Sequence, residues 1–83
     1  KDYEVVTGKV ISKERKTKST RLVLETSLGE KEVYVPNSLD GFIYTPRLNV
    51  SLKNASASKI LKDEYVFIRF TDGVATEFVA TSY

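Results

Sequence analysis

In "EYVFIRF" (64–70) Val66, Ile68 and Phe70 alternate with Tyr65, Phe67 and Arg69. In "RLNVSLKN" (47–54) Leu48, Val50 and Leu52 alternate with Arg47, Asn49, Ser51 and Lys53. A period of two matches the pleat of a strand and defeats the 3.6-residue stripe of a helix. The same alternation, rich in Val, Ile, Tyr and Phe, recurs along most of the chain, and no segment offers a long amphipathic helix. This patterning predicts an all-β fold.

Six strands follow from it. "YEVVTGKVISKE" reads as a long first strand whose apolar phase slips at Gly8, with Tyr3, Val5 and Ile11 on one parity and Val6 and Val10 on the other. A glycine at such a slip predicts a bulge or sharp bend, so one strand could serve both halves of a small barrel. "TRLVLETSL" places Leu22 and Leu24 inward, "SLGE" turns the chain, and "KEVYVP" returns with Val33 and Val35 inward before Pro36 stops it. "NSLDGFIYTP" reads as a connection with turn signals at Asn37-Ser38 and Asp40-Gly41. "RLNVSLKN" and "EYVFIRF" are the next strands, and "TDG" joins the latter to "VATEFVATSY" as a hairpin. At most one short helical turn is expected, near 56–62. Closure would remove exposed edges, so the expected architecture is a single domain over 1–83. It is a closed or partly open barrel of five to six antiparallel strands, OB-like in preference to SH3-like.

Composition sets what such a barrel can do. The 83 residues contain no cysteine and no histidine. That removes a disulfide framework, thiolate metal sites, the commonest zinc ligand and the commonest neutral-pH base. The four glycines are isolated, which excludes a glycine-rich phosphate loop, and no Asp-x-Asp-x-Asp spacing suggests an oxygen-only metal site. Asp40, Asp63, Glu64 and Asp72 fall in expected turns or at strand ends, where solvated carboxylates are normal. No catalytic residue, metal or small-molecule cofactor is implied. No apolar run reaches the roughly 20 residues of a membrane-spanning helix. A cysteine-free chain suits any redox compartment, which leaves localisation unassigned.

The net charge is +2, yet residues 13–21 hold Lys13, Arg15, Lys16, Lys18 and Arg21 against Glu14. That segment is +4 and the remainder −2, so the chain is polarised. As a basic loop it would contact phosphates; equally, a barrel loop needs solubility, and Lys, Thr and Ser provide it. Tyr34, Tyr65, Phe67 and Arg69 face away from the core in this reading, as a stacking face for bases would. Burial of that face beneath "ASASKILK", whose Ile60 and Leu61 need cover, is the competing expectation.

"VFIRF" resembles the second RNA-binding strand motif of cold-shock domains, and Gly41-Phe42-Ile43 a piece of the first. The two pieces lie too far apart and the first lacks its flanking aromatic and lysine, so no site is carried over. Size and tyrosine content are similar to the small single-stranded-DNA-binding proteins of filamentous phages, without a shared motif. The glycosylation triplets at Asn49 and Asn54 are of a kind that arises often by chance and are set aside. The expected function is a non-catalytic binding module, a barrel for single-stranded nucleic acid. The alternative is a protein-interaction domain, extracytoplasmic or phage-encoded, acting through a strand edge or apolar patch.

Overall fold

The computed structural model describes residues 3–82, without the side chain of Arg47. Its strands are β1 (Tyr3–Arg15), β2 (Ser19–Thr26), β3 (Gly29–Pro36), β4 (Asp40–Thr45), β5 (Val50–Ser56), β6 (Tyr65–Thr71) and β7 (Val74–Thr81). Two short 3-10 turns, Pro46–Leu48 and Ala57–Lys59, flank β5. All seven strands form one sheet in the order β3-β2-β1-β6-β7-β4-β5. The expectation of five to six antiparallel strands is therefore corrected: there are seven among the described residues, and β4 runs parallel to β7. The sheet is not closed, although β3 approaches β7 without pairing with it.

β1 is long because it has two partners. Residues 3–9 pair with β6 and residues 9–15 with β2. The changeover falls at Lys9, and at the neighbouring Gly8 a Cβ would lie 2.5 Å from the carbonyl oxygen of Glu25. Only a residue without a side chain lets the two backbones come this close. The ladder with β2 then shifts register between Val10 and Ser12, so the bulge lies at Ile11 and Gly8 provides the close approach.

One face of the sheet carries the core. Val6, Val10, Leu22, Leu24, Val33, Val35, Ile43, Val66, Ile68, Phe78 and Ala80 are all buried. Their alternation with outward residues is what the sequence pattern requires. Segment 57–60 closes the core from the same side: Ala57 and Ile60 are fully buried in it. A glycine again makes room, for the Phe78 ring lies 2.5 Å from where a Cβ on Gly41 would stand. Asp40-Gly41 thus opens β4 instead of turning the chain.

Glu64, expected in solvent, is 1% exposed. Its Oε1 accepts the Leu61 N–H at 2.8 Å and its Oε2 accepts the Thr45 hydroxyl at 3.3 Å. The carboxylate satisfies a turn whose backbone is also tied to β1, with Asp63 N–H donating to Val10 O and Val10 N–H to Glu64 O. "RLNVSLKN" departs furthest from expectation. Pro46 starts a 3-10 turn, and Asn49 ends it in the left-handed region (φ 53°). Only residues 50–56 are strand, at the sheet edge, leaving Leu48, Val50 and Leu52 exposed.

Gly41→Ala is expected to lower stability by about 1–3 kcal/mol through overpacking against Phe78. Urea unfolding of Gly41→Ala and of Gly41→Ala/Phe78→Leu checks the cause. Measured against Phe78→Leu alone, the smaller leucine side chain should make Gly41→Ala less costly than it is in wild type, and an equal cost in the two backgrounds would show that the ring is not responsible.

Candidate nucleic-acid interface

Ladder partners lie on the same face, so register alone maps the surface opposite the core. One row across the sheet reads Lys9, Tyr65, Thr81, Tyr44, Ser51, from β1 through β6, β7 and β4 to β5. The row beside it reads Thr7, Phe67, Val79, Phe42, Lys53. A third carries Val5, Arg69 and Glu77.

Tyr65 is 39% exposed and Phe67 43%. Tyr3, Val5, Tyr44 and Val79 are exposed with them, and Phe42 is half-buried. Residues 57–60 pack on the core side and do not cover these rings, so the expected lid over Tyr65 and Phe67 is absent. Arg69 is committed locally: its guanidinium donates to Glu77 at 3.0 Å and sits 4.3 Å from the centroid of the Tyr3 ring. That cation–π contact and ion pair hold it flat against the sheet.

The basic segment is a hairpin whose tip is Lys16-Thr17-Lys18. Asn37 anchors it. Its backbone N–H donates to Lys18 O at 2.9 Å, its Nδ2 donates to Lys16 O at 3.1 Å, and its Oδ1 accepts the Thr20 hydroxyl at 2.7 Å. The five cations do not share a face. Lys13 and Arg15 stand opposite the buried Leu22 and Thr20, on the core-side parity, and Lys13 Nζ donates to Ser58 O at 2.7 Å. Arg21 faces outward, opposite Tyr34, and forms a hydrogen-bonded ion pair with Glu32. That bond raises the Arg21 pKa further above its ordinary value, against a smaller opposing effect of desolvation. Lys16 lies 3.5 Å from Glu14. Arg15 and Lys18 have no ion-pair partner among the described residues.

The structure therefore brings Tyr65, Phe67 and Arg69 together and keeps Tyr34 apart, on β3 beside Arg21. It also adds residues that reading along the chain missed. Tyr44 and Phe42 were hidden in a segment read as a connection, and Lys9 and Lys53 join the face only through the register. Among the described residues no cluster of three metal-ligating side chains occurs, and no helix is long and apolar enough to cross a membrane. No protein-family model, curated protein or solved structure matches the chain.

Tyr65 and Phe67 lie off the core face, so changes there should cost less than changes within it. Tyr65→Thr and Phe67→Thr, which keep strand-favouring side chains, should each change stability by about 0.5–1 kcal/mol at most. Ile68→Ala, adjacent in sequence but on the other face, should cost about 2–5 kcal/mol. Urea midpoints of the three variants measure the contrast.

Proposed function

We propose that this chain is a non-catalytic binding module that takes single-stranded nucleic acid on the outer face of β6, β7 and β4. The observation that carries the reading is the uncovered pair Tyr65 and Phe67, two residues apart on a central strand, with Tyr44 and Val79 beside them. Aromatic rings on a sheet surface accept the π-faces of successive bases whatever their sequence. Thr7, Thr81 and Ser51 interleave the rings with hydroxyls able to meet base edges.

Connectivity supports an OB-type relationship. A β1-β2-β3 meander, a bent β1 shared with the β6-β7 hairpin and a return of β7 toward β3 are the elements of that barrel, here with a β4-β5 hairpin inserted. Lys13, Arg15, Lys16, Lys18 and Arg21 supply a positive field that draws a polyanion in. Tyr34 and Arg21 form a smaller outward patch.

The protein-partner reading also has an observation in its favour. The same rings form an exposed apolar patch, and the β5 edge shows Leu48, Val50 and Leu52 to solvent. The two readings part on salt, because phosphate contacts release counterions and apolar ones do not.

Fluorescence anisotropy with labelled single-stranded and duplex oligonucleotides tests the proposal. Single strands should bind more tightly than duplex. Phe67→Thr and Tyr65→Thr should each weaken binding by about 1–3 kcal/mol, roughly 5- to 150-fold. Equal binding of single strand and duplex, or wild-type affinity in both ring variants, would remove the stacking face from the account.

A further inference from the structure

The proposed reading leaves open which cations hold the sugar-phosphate chain once bases are stacked. The basic hairpin is the obvious source in the sequence, but its placement argues against direct contact. Lys16 lies seven residues beyond Lys9 along the chain, about 23 Å at the rise of an extended strand. The bulge at Ile11 re-aims the surface in between. Lys13 is directed to the core side and bonded to Ser58, while Arg21 is held by Glu32.

Two other lysines stand on the aromatic face itself. Lys9 begins the row that runs through Tyr65 and Tyr44, and Lys53 ends the row that runs through Phe67 and Phe42. Four strand spacings separate them, about 19 Å, a span that brackets the two or three bases a sheet of this kind stacks. Both can be recruited. Lys53 has no ion-pair partner among the described residues, and Lys9 is only 4.0 Å from an exposed Asp63. Arg69, beside the ring rows, is occupied by Glu77 and Tyr3.

Resting on the reading above, we infer that Lys9 and Lys53 are the direct phosphate contacts, so that the nucleic-acid backbone crosses the sheet from β1 to β5. The 15–18 hairpin then acts at long range, on the rate of encounter. Each lysine reaches its phosphate from outside the ring rows, leaving the bases to lie over Phe67, Tyr65 and their neighbours.

The test is anisotropy with a labelled oligothymidylate across a salt series, on wild type, Lys9→Ala/Lys53→Ala, Lys16→Ala/Lys18→Ala and Phe67→Thr. Circular dichroism and urea midpoints establish that each variant folds. Loss of two single-strand phosphate contacts should flatten the slope of log affinity against log salt by about 1.4 in Lys9→Ala/Lys53→Ala. Lys16→Ala/Lys18→Ala should change the slope by less than half of that. A comparable flattening in both lysine pairs, or flattening in the hairpin pair alone, overturns the inference; a weakened Phe67→Thr would in that case leave the stacking reading standing. Wild-type protein that binds no oligonucleotide at low salt overturns both.

Discussion

A backbone contact at Gly8 is the constraint on which the rest of this structure depends. The position that a Cβ would take is already occupied by the carbonyl of Glu25, with Leu24 close behind. This approach lets β1 leave β2 and continue along β6, making one strand the spine of two half-sheets. Residues 9–15 belong to the half that ends in the basic hairpin, and residues 3–9 to the half that carries the aromatic rows. The separation of charge from rings is thus a consequence of this change of partner. Where β1 parts from β2 an open cleft of about 170 Å³ lies between Glu4–Thr7 and Thr26–Leu28, bridged by the Lys31–Glu4 ion pair at 2.9 Å.

The core face and the outer face make opposite use of apolar residues. On the core side, burial of each Val, Leu or Ile contributes about 1.5–3 kcal/mol, and the segment around Ile60 completes the cover. On the outer side Phe67, Tyr65, Tyr44 and Val79 keep 38–44% of their surface in solvent, where it offers contact area. The two sheet edges differ as well. β3 presents Glu30, Lys31 and Glu32, charges that discourage pairing with another chain, whereas β5 has Lys53 alone, with a break at Asn54 (φ 56°).

How much of this was legible in the sequence depended on whether a signal was local. The alternation in "EYVFIRF" correctly separated Val66 and Ile68 from Tyr65, Phe67 and Arg69, because a central strand with one buried face enforces its parity. The length of β1 was also readable, whereas the bulge expected at Gly8 lies at Ile11. β4 was not readable, since Asp40-Gly41 spells a turn while the small size of Gly41 serves the Phe78 ring, a contact with a strand far along the chain. "RLNVSLKN" misled for the opposite reason: its alternation is regular, but Pro46 and the left-handed Asn49 shorten it and an edge position leaves it uncovered. Glu64 could not be placed, because its burial depends on Thr45 and Leu61 converging on it. Of the site, the outward rings on β6 were legible and the lysines on their rows were not, because register is a property of pairing and not of any one strand.

Binding on the outer face of β6, β7 and β4, as proposed, would leave a footprint that can be mapped residue by residue. Amide chemical-shift mapping during titration with a short single-stranded oligonucleotide tests it most directly. The largest shifts should fall at Tyr65, Phe67, Val79 and Tyr44, with lesser ones at Lys9 and Lys53. Shifts confined to Lys16–Lys18 and its neighbours, with the β6 amides unmoved at saturation, would contradict it.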